Sequence, residues 1–369
     1  MTLPIVYEPA PRRGLSASAL PQSDYARPVG LVYGAAAQAA VAAGEALPLA
    51  GGPIAFRSLD LIRREAGVVR VLTVPVDALD PAALPSGTIA RLTAPRGPLW
   101  GADALAPAIM GIVNVTPDSF SDGGRFASRD AAIAQGRRLA EEGADILDIG
   151  GESTRPGAAD VSIAQEIDRV VPVIEALAGE GHRISVDTRK APVMRAALEA
   201  GATIVNDVSG LTHDPEAPAF LAGQACPVVL MHMRGEPGTM QADPRYDCAP
   251  LDVYDELEAR LTAAEAAGIS RDRLVVDPGF GFAKTAAHNI QVTAWLTVLH
   301  GMGRPVLFGA SRKSSIGVLS RGEAADARLP GSLALAGAAM DLGAQTVRVH
   351  DVSETAQALA LRRAILAAS

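Results

Sequence analysis

The feature that most constrains the fold of this chain is an alternation of short apolar runs with amphipathic stretches, which begins near Ala108 and continues to the C-terminus. Short apolar runs separated by helical stretches are typical of parallel strands that are buried on both faces. The eight runs lie at residues 108–115, 146–151, 183–188, 203–209, 227–233, 274–280, 305–311 and 346–352. Eight such units predict an α/β protein and favour a closed parallel (β/α)8 TIM barrel over an open doubly wound sheet.

Glycine recurs at the end of four stretches between these runs, as Gly143, Gly201, Gly268 and Gly343. Glycine suits the left-handed conformation of the residue that follows a helix C-terminus. The recurrence predicts that one strand–helix unit is repeated around the sheet. In a barrel of such units, the chemistry lies at the C-terminal ends of the strands and in the loops that follow them.

The length of the chain predicts one barrel plus a smaller part. A barrel needs roughly 250 residues, whereas the chain has 369. We assign residues 105–369 to the barrel and residues 1–104 to a small α+β N-terminal extension. Within the extension, residues 54–64 and 68–76 have the pattern of strands, residues 31–50 that of a helix and residues 93–107 that of a linker. All of the motifs described below follow the extension, so we expect it to be dispensable for chemistry.

Charge and cysteine content exclude several classes of function. The net charge of −8 gives no diffuse basic field for nucleic acid or an anionic membrane, so an anionic ligand needs a local group of cations. Cys226 and Cys248 lack the spacing of a zinc site or a disulfide framework. No leader pattern and no run of roughly 18 apolar residues is present. We expect a cytoplasmic protein that binds neither nucleic acid nor membrane.

Cationic side chains follow several of the predicted strands. Arg155 follows the second run, Lys313 the seventh, and Arg348 and His350 lie at the end of the eighth. These donors suit the oxygens of a diphosphate, to which arginine offers two parallel hydrogen bonds. Taken alone, each has an ordinary explanation, such as a solvated loop charge or a structural histidine. Their coincidence at one end of one fold favours an anion site.

Acceptor groups lie at the ends of other strands in the same set, as Asp187, Asn206 and Asp277. Aspartates near a barrel axis are costly to bury without partners, so a flat heterocycle with an amino group and a ring N–H is a suitable ligand. Asn114, at the end of the first strand, is a candidate ligand for Mg²⁺ bridging a diphosphate, because magnesium commonly shares its shell with substrate phosphate and water.

Eight segments around these positions carry motifs in a fixed order: MGIVNVTPDSFSDGG, DIGGESTRPGA, SVDT, VNDVSG, LMHMRG, DPGFGFAKT, FGASRKSSIG and RVHDV. In order, spacing and chemical content they resemble the motifs of the dihydropteroate synthases, a family of pterin-binding enzymes. The resemblance covers the chain from about residue 109 to the C-terminus. One departure is Ala283, where the family often has glycine, and we expect a slightly stiffer turn there with unchanged chemistry.

The resemblance implies a role for each matched residue. The implied pterin-binding residues are Thr154, Asp187, Asn206, Met231, Asp277 and Lys313. The implied catalytic and diphosphate-binding residues are Arg155, Lys313, Arg348 and His350. The implied p-aminobenzoate site consists of Thr154, Pro156, Phe282 and Ser314, beside Lys313. Asn114 is the implied Mg²⁺ ligand, and segments 116–129 and 153–162 look like the family's mobile loops.

The resemblance also implies the reaction, in which a pterin methyl diphosphate is joined to p-aminobenzoate during folate synthesis. It further implies a homodimer, Mg²⁺ dependence and competition by sulfonamides. Three alternatives stay open at this point: a pterin-binding barrel for methyl transfer, a catalytically silent paralogue that binds pterin, and a barrel enzyme for another phosphorylated substrate. The NVTPDSF segment and the arginine of STRPGA argue against methyl transfer, which needs neither.

Overall fold

The structure is a computed structural model that describes residues 2–8, 22–96, 107–115, 124–153, 160–236 and 238–368. Within these residues, none of the helices combines the length and the apolar character that crossing a membrane requires.

The described part of the N-terminal extension contains a five-stranded sheet and two α-helices. Its strands are β1 (Ile5–Glu8), β2 (Tyr25–Val32), β3 (Leu47–Pro48), β4 (Ala55–Glu65) and β5 (Val68–Pro75). They are arranged in the order β1-β5-β4-β2, with β3 paired to β4. The helices are α1 (Gly34–Ala42) and α2 (Thr88–Thr93). The two predicted strands are confirmed as β4 and β5, and β1, β2 and β3 are additional.

The predicted helix over residues 31–50 is wrong in its extent. The helix α1 has nine residues, and the flanking positions belong to β2 and β3. Gly34 and Gly44 both have positive φ, a conformation in which a helix does not continue. The alanine-rich composition of this stretch favoured a long helix, but the chain turns at the two glycines.

The barrel is formed by eight parallel strands, all of which were predicted. They are β6 (Ala108–Asn114), β7 (Ile146–Gly150), β8 (Ile184–Asp187), β9 (Ile204–Asp207), β10 (Val228–Met231), β11 (Leu274–Asp277), β12 (Leu307–Phe308) and β13 (Thr346–Val349). The order is β11-β10-β9-β8-β7-β6-β13-β12, and a parallel bridge between Val276 and Val306 joins β11 to β12. The sheet therefore closes into a (β/α)8 barrel. Every strand ends before the end of the corresponding predicted run.

Helices surround the barrel in the described part of the chain: α3 (Gly124–Glu141), α4 (Ile163–Gly179), α5 (Ala191–Glu199), α6 (Ala217–Ala222), α7 (Ala249–Ala266), α8 (Ala286–Ala294), α9 (Ser314–Leu319), α10 (Leu329–Asp341), α11 (Val352–Ala367) and a 3₁₀-helix (Leu296–Met302). The start of α4 is a capping box, in which the Ser162 and Gln165 side chains each accept from the other's backbone N–H. The four glycines predicted after helix ends all have positive φ.

The strands bury alternate residues on opposite sides of the sheet. One cluster fills the barrel interior and consists of Ala108, Met110, Ile146, Ile204, Val229, Val275 and Leu307. The intervening residues, such as Ile109, Leu147 and Val205, belong to the larger cluster between sheet and helices. This period of two fixes which strand-end side chains point into the barrel.

The extension packs against the outside of the barrel. Tyr25 contacts Tyr254 of α7 edge to face, with ring centroids 5.5 Å apart, and Arg64 Nη2 lies 2.7 Å from an oxygen of Asp252. Ile62, Val69 and Val71 belong to the same buried cluster as the barrel residues. The extension and the barrel therefore share a continuous apolar core.

Candidate active site

The polar residues of the site lie one inward position above the apolar core of the barrel. Counting two residues onward from Ile146, Ile204 and Val275 of the core cluster gives three polar residues: Asp148, Asn206 and Asp277. The same step reaches Met231 from Val229 and Arg348 from Thr346, the register partner of Ala108. Asp187 is the register partner of Asn206 and joins this layer. Because side chains alternate between the two faces of a strand, the next inward layer above the apolar core consists mostly of polar residues. We call this layer the polar ring.

Arg348 lies between two carboxylates of this ring. Its Nε donates to Asp148 Oδ2 at 2.5 Å, and its Nη2 donates to Asp187 Oδ2 at 2.7 Å. Burial raises the pKa of the Asp187 carboxyl, and the Arg348 guanidinium opposes that rise. Two buried anions around one guanidinium are tolerated because the cation compensates them directly.

Asn206 is fixed by the same carboxylate. Its Nδ2 donates to Asp148 Oδ2 at 3.1 Å, and its side chain is buried. Asp148 is fully buried, and its second oxygen, Oδ1, has no hydrogen-bond partner. Asp148 therefore connects two predicted site residues, Asn206 and Arg348.

Asp277 ends β11 and faces a tight loop. Its Oδ1 accepts from the backbone N–H of Gly279 at 2.7 Å. Burial raises the pKa of this carboxyl to about 6, while Gly279, Lys313 and Arg348 oppose the rise. Gly279 has φ +66°, and a Cβ there would lie 1.9 Å from the carbonyl oxygen of His232. The turn after β11 therefore requires glycine at this position.

An apolar wall stands beside the polar ring. Met231 and Phe282 belong to one buried cluster above the barrel, together with Ala283. The ammonium of Lys313 lies 4.0 Å from the centroid of the Phe282 ring, a cation–π contact. Ala283 adopts φ +50°, a conformation that is costly for a residue with a Cβ. The predicted stiffer turn at Ala283 is therefore a strained one.

A buried network supports this wall. Lys284 Nζ donates to the carbonyl oxygens of Gly279 and Phe282, each at 3.1 Å, and lies 2.8 Å from His232 Nδ1. His232 Nε2 lies 3.1 Å from Glu256 Oε2. Burial and the neighbouring Lys284 lower the pKa of His232 to about 3, so His232 is neutral and accepts at Nδ1. Lys284 and His232 thus hold the loop that carries Phe282.

The end of β13 and the start of α9 complete the described part of the site. His350 Nδ1 lies 3.1 Å from Ser311 Oγ, and burial lowers the pKa of His350 to about 3. His350 is therefore a neutral imidazole that can contribute a hydrogen bond but no charge. Lys313 is the N-cap residue of α9 and Ser314 its first residue, which fixes both beside the Phe282 loop.

Four predicted site residues have less structural support. Thr154, Arg155 and Pro156 lie outside the described residues, as do parts of segments 116–129 and 153–162. Asn114 is described and lies at the end of β6, opposite Gly150 in register. Among the described residues, there is no group of three or more His, Cys, Asp or Glu side chains that could hold a metal ion.

The sequence did not single out Asp148, Lys284 or His232. The signal for Asp148 was available, because it occupies the inward position before the end of β7. The signal for Lys284 and His232 was not, because a buried lysine that binds backbone carbonyls has no sequence pattern. Only the folded loop brings them together.

Comparison with known proteins agrees with this geometry. Residues 110–350 match the family described as Pterin binding enzyme. The chain is 46% identical over 267 residues to dihydropteroate synthase of Escherichia coli (strain K12), which covers 72% of this chain and 94% of that protein. Dihydropteroate synthase of Xanthomonas albilineans with 4-aminobenzoic acid has a TM-score of 0.67 at 50% identity, over 72% of this chain and 95% of that one.

A further structure, the Yersinia pestis dihydropteroate synthase with a sulfonamide drug complex, has a TM-score of 0.68 at 46% identity and covers 72% of this chain and 96% of that one. These relatives are matched over nearly their whole length, and the family match runs from β6 to the end of the β13 motif. The chain therefore belongs to the pterin binding enzyme family and, within that family, to the dihydropteroate synthases.

Proposed function

We propose that the ring above the barrel core binds the pterin of (7,8-dihydropterin-6-yl)methyl diphosphate, which the chain condenses with p-aminobenzoate to 7,8-dihydropteroate and diphosphate. The observation that carries this proposal is the arrangement of three inward acceptors, Asp187, Asn206 and Asp277, around Arg348. A reduced pterin offers several N–H donors in one plane. Buried acceptors gain most from such a ligand, since water cannot satisfy them there.

The apolar wall provides the faces of both aromatic substrates. Met231 packs on the pterin ring, and Lys313 donates to its acceptor edge. Phe282 and Ser314 line the p-aminobenzoate site together with Thr154 and Pro156. The contact between Lys313 and the Phe282 ring supports this assignment, because it brings the two half-sites together.

The diphosphate is bound by cationic and hydrogen-bonding groups at the rim. Arg155 and Lys313 supply positive charge. His350 is neutral and supplies a hydrogen bond. Arg348 has two nitrogens engaged by carboxylates, so it reaches the diphosphate through its remaining N–H groups only.

The chemistry follows from these positions. The bond between the pterin methylene carbon and the diphosphate oxygen breaks, and the electron pair leaves with diphosphate. The amine nitrogen of p-aminobenzoate forms a bond to the same carbon and then releases a proton to water. Rim cations stabilise the charge that develops on the leaving group, and an apolar surface limits capture of the carbon by water. A strong general base is not required, because the arylamine attacks as a neutral group.

Mg²⁺ fits this site as a partner of the substrate. Asn114 offers an amide oxygen, which is a ligand that magnesium accepts, and diphosphate and water would complete the shell. When it is bound, Mg²⁺ neutralises charge on the leaving group.

We further propose that the enzyme acts in the cytoplasm as a homodimer, and that sulfonamides compete with p-aminobenzoate. Exposed apolar side chains on α11, Leu361 and Ile365, provide a surface that a second copy could cover. The Yersinia pestis relative was solved with a sulfonamide drug, which supports sulfonamide competition at the p-aminobenzoate site assigned here.

The test is turnover by the purified protein with the pterin methyl diphosphate, p-aminobenzoate and Mg²⁺, following dihydropteroate and diphosphate together. Lys313→Ala and Arg155→Ala should each lower kcat/KM by about 100-fold or more while remaining folded. Arg321→Ala is the matched control, because Arg321 is an exposed arginine that forms an ion pair with nearby Glu323, and it should keep wild-type turnover.

Two outcomes would contradict the proposal. Wild-type protein that binds pterin but forms no dihydropteroate would make the chain a silent paralogue or a methyl-transfer protein. Full activity in both variants would leave the reaction in place but remove Lys313 and Arg155 from it.

A further inference from the structure

Two donors in the site converge on one oxygen of Asp148. Arg348 Nε and Asn206 Nδ2 both donate to Asp148 Oδ2, at 2.5 and 3.1 Å. The other oxygen, Oδ1, is buried without a hydrogen-bond partner. A buried carboxylate oxygen that lacks a partner reduces stability. Stability alone therefore does not explain why an aspartate occupies this position in the barrel.

The contact has a chemical consequence for Asn206. An ionised carboxylate only accepts hydrogen bonds, whereas an amide has a donor end and an acceptor end. Asn206 must therefore direct its Nδ2 toward Asp148. If the amide were flipped, the oxygen of Asn206 would face the carboxylate of Asp148, and two acceptors would meet. The amide is planar, so its carbonyl oxygen is directed away from Asp148. On the neighbouring strand lies the register partner of Asn206, Asp187, whose carboxylate is also an acceptor.

We infer that Asp148 is a positioning residue that fixes the amide of Asn206 with its oxygen toward the ligand, and thereby selects ring systems that present N–H donors. This inference rests on the proposed function, in which the ligand is a reduced pterin. Asp148 contacts Arg348 and Asn206 through Oδ2. It acts through Asn206, and it excludes the flipped amide, which would suit a ring with acceptors at the same edge.

The test compares three ring ligands by calorimetry. The first is 7,8-dihydropterin; the second is its 2,4-dioxo analogue, which lacks the amino donor; the third is oxidised pterin, which lacks the N8–H. Wild-type protein should bind 7,8-dihydropterin at least tenfold more tightly than one or both analogues, since an unmatched buried acceptor costs about 1 to 3 kcal/mol. Those affinity ratios are the measured quantity.

Variants at position 148 separate positioning from charge and from packing. Asp148→Asn keeps one acceptor oxygen for both donors, so the ratios should stay within about threefold of wild type. Asp148→Leu removes the acceptor and lets the Asn206 amide turn, so at least one ratio should fall about tenfold. Asp148→Ala is a second disruptive variant in case the leucine side chain prevents folding, which a thermal unfolding curve would reveal.

Ser185→Ala is the matched control. Ser185 is the register partner of Asp148 on β8 and is buried, and its Oγ has no hydrogen-bond partner, so it forms no hydrogen bond with Asn206. Its replacement should leave the ratios unchanged. A general disturbance of the barrel would weaken all three ligands together and leave the ratios as they are in wild type.

The outcomes distinguish this inference from the proposed function. If wild-type protein fails to bind 7,8-dihydropterin, the proposed function fails. If wild type binds selectively and a folded Asp148→Leu or Asp148→Ala variant keeps the ratios, the positioning role is refuted alone. Loss of selectivity in Asp148→Asn would also refute the positioning role. The charge of Asp148, and not its acceptor oxygen, would then determine the selectivity among the ring ligands.

Discussion

Asp277 is a buried carboxylate that accepts a hydrogen bond from the backbone N–H of Gly279. Such a group is held for binding at a cost to stability, because its charge is poorly solvated. Its pKa of about 6 lies above the ordinary value of 3.8. The folded state therefore retains a proton that the unfolded chain has already lost at intermediate pH.

This difference predicts how stability depends on pH. As pH rises from about 4 to about 6, the contribution of Asp277 to the free energy of unfolding falls, and above that window it stays low. Asp277→Asn should remove this dependence and make the protein more stable at pH 8 by about 2 kcal/mol. Urea unfolding at pH 4.5 and pH 8 measures the effect.

The same substitution should weaken 7,8-dihydropterin binding by roughly 100-fold, because a charged acceptor is lost. A variant that is both less stable than wild type at pH 8 and unchanged in affinity would show that Asp277 is a structural residue.

At this scale, the sequence identified the acceptors but not their supports. Asp187, Asn206 and Asp277 could be predicted because each lies at the end of a strand, or one residue before it, at an inward position. The role of Asp148 depends on which side-chain oxygen meets which donor. Such contacts are decided by rotamers across strands that are far apart in the chain, and no local pattern encodes them.

Among the elements near the site, the loop from Gly279 to Ala283 has a strained backbone, with positive φ at both of these residues. Gly279 has φ +66°, and its Cα faces the backbone of His232 so closely that a Cβ would lie 1.9 Å from the carbonyl oxygen. Lys284 binds the carbonyl oxygens of Gly279 and Phe282 from below. The loop is therefore held on two sides.

Gly279→Ala should displace this loop, because the added Cβ has no space. We expect the free energy of unfolding to fall by about 3 kcal/mol and pterin affinity to fall with it. Gly235→Ala is the matched control: it has nearly the same φ, +68°, but nothing lies within 4 Å of the added Cβ. That control should lose only about 1 kcal/mol, the cost of a left-handed alanine. Equal losses in the two variants, measured by urea unfolding, would contradict the steric argument.

Elements of the barrel were easier to predict than those of the extension. Each barrel strand is a continuous apolar run between helices, so the pattern marks its position. The extension strands β1, β2 and β3 are short or contain proline, and their pairing with β4 and β5 depends on residues distant in the chain. These strands are stabilised by tertiary contacts, which a local sequence pattern does not show.

At the scale of the whole molecule, the extension is integrated with the barrel. Arg27 lies 4.1 Å from the Trp295 ring centroid, and Thr297 Oγ1 donates to the carbonyl oxygen of Pro28 at 2.9 Å. Arg91 Nε donates to the carbonyl oxygen of Gly301 at 2.7 Å. These contacts cover the wall of the barrel near the 3₁₀-helix, on the outside of the sheet and away from the polar ring.

A truncated protein of residues 105–369 should therefore be less stable yet catalytically competent. Removing the extension exposes the apolar surface beneath Ile62, Val69 and Val71, and we expect the thermal midpoint to fall by roughly 10 °C or the protein to aggregate. Turnover per folded molecule should stay within a few-fold of the full chain. A truncated protein that folds normally but lacks all activity would show that the extension contributes to the site.

We assign the pterin pocket to the inward ring two residues above the barrel core. This assignment is tested by calorimetric binding of the pterin methyl diphosphate, in the absence of p-aminobenzoate, to wild type and to Asn206→Leu. It predicts one site per chain in wild type and affinity at least 100-fold weaker in a folded Asn206→Leu variant. Binding of equal strength in both proteins would contradict it, since the substrate would then lie elsewhere.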